Sequence, residues 1–69
     1  MKVYIITDDG GYRYGEAFKN KDKAIKHMIG VIRIMYDIYD DITDDLLIDY
    51  IKKHEYYSNL FLETLEVIE

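Results

Sequence analysis

Residues Asp8-Asp9-Gly10-Gly11 lie between two runs rich in β-branched and aromatic side chains. These are Val3-Tyr4-Ile5-Ile6-Thr7 and Tyr12-Arg13-Tyr14-Gly15-Glu16-Ala17-Phe18. A tight primed turn needs positive φ, which glycine adopts at little steric cost, so the pattern predicts an N-terminal β-hairpin. With a two-residue loop, either Asp9-Gly10 or Gly10-Gly11, odd residues of the first strand share a face with even residues of the second. One face then carries Val3, Ile5, Thr7, Tyr12, Tyr14, Glu16 and Phe18. The other carries Lys2, Tyr4, Ile6, Asp8, Arg13, Gly15 and Ala17. A lone two-stranded hairpin is marginal in water, so the rest of the chain must supply further packing.

Asn20 can cap a helix beginning near Lys21, with Asp22 in its first turn facing the positive end of the dipole. Ile25, Met28, Ile29, Ile32, Met35, Tyr36 and Tyr39 recur at intervals of three and four. Val31, Ile34 and Ile38 widen this arc, which predicts a long apolar helix packed on two partners, the sheet and either a second helix or a second subunit. Thr43 followed by Asp44 and Asp45 reads as a new helix start, with Lys52, Lys53 and His54 at the far end. One continuous helix over residues 21–54 is the competing reading, but it would run about 50 Å. Strands of about seven residues span only about 23 Å, so a bend near Asp41–Thr43 is the expectation. In Ser58–Glu69, Glu63, Glu66 and Glu69 are spaced as on a helix, while the β-branched end and the hairpin's need for a third strand favour a strand. The strand is the expectation. The fold class is therefore α+β: an N-terminal hairpin, a long apolar helix, a short second helix and a C-terminal strand. Its sheet has three antiparallel strands with the helices on one face.

A chain of 69 residues makes one domain, and one that buries only about 60% of the surface its unfolded chain exposes. With no cysteine there is no disulfide framework and no thiolate metal site. No apolar run approaches the roughly 20 residues that cross a bilayer. Lys2 to Asp8 turns acidic too soon for a secretory signal, so a cytoplasmic location is expected.

Charge is the compositional anomaly. Asp37, Asp40, Asp41, Asp44, Asp45 and Asp49 place six negative charges in thirteen residues, more than the whole net charge of −5. No Lys or Arg lies between Arg33 and Lys52. Such a surface repels nucleic acid and membrane phosphates and attracts a basic partner. On a helix Asp37, Asp41, Asp45 and Asp49 are four apart, and successive carboxylates rise about 4.5–6 Å. That rise is comparable to the charge spacing along a nucleic-acid strand. The cluster reads as a phosphate mimic, as a solvated face or as a cation site. The cation reading lacks a loop that gathers several oxygens at one point. Tyr36 and Tyr39 flank Asp37 and Asp40, and the eight tyrosines suit either an interface or an amphipathic rim to the core.

Catalytic signals are thin. His54-Glu55 opens like a zinc-protease motif, but Ser58 stands where the second histidine belongs. Asp40-Asp41-Ile42-Thr43-Asp44 matches the aspartate pattern of prenyl-diphosphate enzymes, in a chain too short to enclose a prenyl group. Gly10-Gly11 and Gly15 lead into a strand, where a phosphate loop would lead into a helix. No enzyme activity, cofactor or metal is expected.

The order of hairpin, Phe18-Lys19-Asn20-Lys21-Asp22-Lys23-Ala24, helix and terminal strand resembles many small ββαβ domains of bacteria and phages. Frequent Ile, Lys, Asp and Tyr with scarce Arg suits an AT-rich genome. In size, acidity and tyrosine content the chain is similar in type to phage-encoded anti-CRISPR proteins. That resemblance implies a cytoplasmic inhibitor of a host defence nuclease, a CRISPR effector foremost, whose nucleic-acid groove the acidic surface would occupy. Asp37, Asp40, Asp41, Asp44, Asp45 and Asp49 would replace phosphates, with Tyr36 and Tyr39 adding packing area. The alternative is a small regulatory module that homodimerises through Ile34 and Ile38.

Overall fold

The computed structural model describes residues 1–36 and 42–68. Its elements in chain order are β1 (Lys2–Asp8), α1 (Lys21–Tyr36), α2 (Asp44–His54), β2 (Tyr56–Tyr57) and β3 (Leu60–Glu66). The fold is α+β, with an antiparallel three-stranded sheet in the order β1-β3-β2. The C-terminal segment is a strand, as expected, and it takes the central place. It pairs with β1 from Lys2↔Glu66 to Asp8↔Leu60, and with β2 at Tyr56↔Phe61 and Tyr57↔Leu60. The short β2 had no counterpart in the sequence reading.

The N-terminal turn forms, with a different loop and a broken second arm. The Gly11 amide donates to the Asp8 carbonyl at 3.1 Å, and the Asp8 amide to the Tyr12 carbonyl at 3.1 Å. The loop is thus Asp9-Gly10-Gly11, one residue longer than predicted, with Gly11 at φ 84° supplying the left-handed step. One extra residue flips the partition. Thr7 stands opposite Arg13 and Tyr4 opposite Phe18, so Tyr14 and Phe18 join Tyr4 and Ile6 on the core side. The predicted grouping of Tyr14 and Phe18 with Val3, Ile5 and Thr7 is corrected. Between those two bridges β1 advances three residues and the other arm five, so the arm loops out around Gly15 (φ 97°) and makes no strand.

Asp8 holds this turn together. Its Oδ1 accepts from the Gly10 and Tyr12 amides at 2.9 Å each, and its Oδ2 accepts from the Tyr14 hydroxyl at 2.9 Å. The Tyr12 amide above all, helped by the Tyr14 hydroxyl and the Gly10 amide, holds the Asp8 carboxyl below its ordinary value of 3.8. A carboxyl depressed on folding stabilises the fold above its unfolded value, and that contribution is lost as pH falls through the lower folded value. Asp8→Asn should therefore lower the melting temperature at pH 7 and flatten its decline below about pH 4 in a thermal-melt series. An unaltered acid limb would show that these bonds do not carry the pH response.

Asn20 caps α1, its Oδ1 accepting from the Lys23 amide at 3.0 Å. The helix buries one stripe, Ala24, Ile25, Met28, Ile29 and Ile32, against the sheet and α2. The expected long apolar helix is corrected here. The described α1 has 16 residues, and its opposite side faces solvent, with Ile34 79% exposed. Of the residues that widen the pattern, Val31 packs half-buried against the core, Ile34 stays in solvent and Ile38 lies outside the described residues. The second helix starts where Thr43 predicts, at an extended φ −74°, ψ 157°, and its side chain accepts from the Leu46 amide. Residues 21–54 are thus not one helix. It ends on Glu55 at φ 62°, whose amide donates to the Ile51 carbonyl.

The core joins Ile6, Leu60 and Leu62 of the sheet to the α1 stripe and to Leu47 and Ile51 of α2. Every sheet residue in it is even-numbered, so both helices cover the same face. The odd-numbered residues of β1 and β3 line the other. Ile5 and Thr7 are buried there with no covering helix among the described residues, and the Thr7 hydroxyl donates to Glu63 at 3.0 Å. Phe61 and Leu65 stay exposed on that face. No described helix is long and apolar enough to cross a membrane.

Candidate protein-binding surface

Helix α2 shows solvent two parallel stripes, because residues four apart stack along one side of a helix. Asp45, Asp49 and Lys53 form one, and Leu46, Tyr50 and His54 the other. All six are exposed, Leu46 to 60%. Leu47 and Ile51 face inward and are almost completely buried, which fixes the helix about its axis and holds the two stripes outward.

The six candidate aspartates do not behave alike. Asp37, Asp40 and Asp41, with the candidate Tyr39, lie outside the described residues, as does Ile38. Asp44 is answered from α1: the Arg33 Nε donates to its Oδ1 at 2.9 Å, while Arg33 Nη2 donates to the Ile42 carbonyl at 2.9 Å. Sequence spacing concealed this pairing, because Arg33 is eleven residues upstream and reaches Asp44 only when the chain folds back. Asp45 and Asp49 are exposed and form no ion pair among the described residues. They are about 6 Å apart along the helix axis.

Tyr36 is half-buried. Its hydroxyl donates to the Asn59 side chain, and its ring meets that of Tyr57 edge-on at 5.9 Å. It ties the end of α1 to the β2–β3 turn and gives little area to a partner. The exposed aromatic surface lies elsewhere. The Tyr50 ring meets that of His54, tilted by 45°, at 4.5 Å, and those of Tyr56 at 5.8 Å and Tyr57 at 5.9 Å, and Tyr56 continues to Phe61 at 6.5 Å. The Tyr56 hydroxyl at Tyr50, with partial burial, pushes the Tyr50 hydroxyl's pKa above its ordinary value. This aromatic group was not picked out from the sequence. Its one linear signal is the four-residue spacing of Leu46, Tyr50 and His54, since β2 and Phe61 join it only through the sheet.

Other candidate groups are structural. His27 shares a hydrogen bond with the Tyr14 carbonyl at 2.9 Å and lies on Phe18. A shallow groove between α1 and α2, lined by Asp22, Ile25, Lys26, Ile48 and Lys52, is bridged by the Lys52–Asp22 ion pair at 3.7 Å. Among the described residues, no group of three His, Cys, Asp or Glu is placed to hold a metal ion.

No protein-family model, curated protein or solved structure matches this chain.

Proposed function

We propose that this chain is a non-enzymatic inhibitor that sets the outer side of α2 into a basic nucleic-acid-binding groove of another protein. The target class is a defence nuclease of the bacterial cytoplasm, a CRISPR effector foremost, and the source is a phage. The reading rests on one observation: Asp45 and Asp49, in no ion pair among the described residues, project beside the exposed Leu46 and Tyr50, from which the aromatic surface continues to Tyr56. Clustered charge draws in an oppositely charged surface and sets the encounter rate. Adjacent aromatic area supplies the contact that holds a complex once formed. Asp44 contributes less, because Arg33 already neutralises it. The substrate groove, rather than free nucleic acid, is the natural counterpart of a carboxylate row.

The test is capture from a bacterial lysate at low salt, followed by titration of the recovered nuclease. Asp45→Asn with Asp49→Asn should weaken binding about tenfold and slow association, with a smaller salt dependence. Tyr50→Ala should act mainly by speeding dissociation. A double Asn variant that binds and inhibits like the parent would overturn the reading.

A further inference from the structure

Strand β3 pairs with β1 along its whole length, but β2 covers only Leu60 and Phe61 on its other side. The Leu62 amide donates to the Glu55 carbonyl at 2.9 Å, and the Val67 amide to the Met1 carbonyl at 2.6 Å. In an antiparallel ladder, successive residues turn their backbone groups to opposite edges. Even-numbered residues of β3 therefore address the β2 side and odd-numbered residues address β1. Past Leu62, the N–H and C=O groups of Thr64 and Glu66 meet no strand among the described residues. Both residues are exposed. An edge of this kind is a template for one further strand.

The geometry points to a second copy of this chain as that strand, with β3 pairing antiparallel to its own counterpart about a two-fold axis at Leu65. Three observations select this register. Glu55 already occupies the Leu62 amide and β2 blocks the edge at Phe61, so only the stretch from Glu63 to Val67 is open. Within it, centring on Leu65 places Thr64 of one copy opposite Glu66 of the other, joining the free backbone groups twice over. Centring on Glu63 or Glu66 would instead set two carboxylates face to face, which is unfavourable. Centring on Thr64 would require the Leu62 amide that Glu55 holds.

The side chains agree with the backbone. Leu65 would meet Leu65 of the second copy at the axis, in the close non-hydrogen-bonded position. Val67 would face Glu63, with no like charges directly opposed. Leu65 and Val67, exposed to 39% and 36%, would form with their counterparts one apolar patch on the helix-free side of a six-stranded sheet. The acidic start of α2 lies at the opposite end of the molecule. Asp44 is tied to the end of α1, whose Tyr36 reaches the β2–β3 turn, and β3 runs away from that turn. Two chains of net charge −5 thus join at the ends where Asp44, Asp45 and Asp49 are absent. This pairing leaves the outer side of α2 open and does not depend on what α2 binds.

The area is small for an interface, so association should be weak and visible by sedimentation equilibrium between about 10 µM and 1 mM protein. The wild-type chain should double in mass over that range. Leu65→Glu and Leu65→Lys, at an exposed position, should each remain monomeric, because like charges would meet at the axis. An equimolar mixture of the two should recover the dimer. Thr64→Pro removes an amide that serves only the open edge, so it should weaken the dimer more than about tenfold while circular dichroism stays native. The proposal is overturned if the wild type is monomeric at 1 mM, if either Leu65 variant dimerises alone, if the mixture stays monomeric, or if Ile34→Glu abolishes the dimer.

Discussion

Ile32→Ala should lower the melting temperature by about 10 °C or more, the largest single effect expected in this molecule. Ile32 is fully buried, in the core that α1 forms with α2 and the sheet. Cutting such a side chain back costs about 2–5 kcal/mol, from lost burial and the cavity left behind. A domain of this size has only about 3–10 kcal/mol in total, so one position accounts for a large share. Ile34→Ala is the matched control. It removes the same atoms from a site two residues away that is 79% exposed, and should change stability by less than about 0.5 kcal/mol. Equal losses in the two melts would mean that α1 does not bury the stripe described above.

Gly15→Ala should cost about 1–3 kcal/mol, by two separable routes. A Cβ at Gly15 would lie 2.5 Å from Nε2 of His27, so the imidazole would have to leave the Tyr14 carbonyl and Phe18. The backbone there has φ 97°, which L side chains strongly resist. In a His27→Ala background the collision vanishes and only the backbone strain remains. Urea melts of the two single variants and the double should therefore be non-additive, with Gly15→Ala milder when His27 is absent. Full additivity would place the whole cost in the backbone.

The local signals in the sequence translated well, because each acts over a few residues. Asn20 and Thr43 start helices, Asp44 and Asp45 fall in a first turn, and the C-terminal segment is a strand. Loop length did not translate. Asp-Asp-Gly-Gly accommodates two or three loop residues, and the Asp8 carboxylate, by binding both the Gly10 and Tyr12 amides, selects three. That choice moved Tyr14 and Phe18 to the core side. The proposed surface was legible only in part. Asp45 and Asp49 could be read from spacing, whereas the Arg33–Asp44 pair and the gathering of Tyr50, Tyr56 and Phe61 are products of tertiary folding. Periodicity puts Ile32 on the buried stripe, but whether a flanking apolar residue such as Ile34 meets a partner depends on which neighbours arrive.

The ladder between β1 and β3 joins residues 52 to 64 positions apart in the chain. Helices nucleate in well under a millisecond, since each turn needs only its own neighbours. Closing a long loop costs entropy before any distant contact repays it. Refolding of this small domain should therefore be slower than that of a helical bundle of equal length. The rate-limiting event should be the meeting of the first and last strands of the chain, β1 and β3, in register.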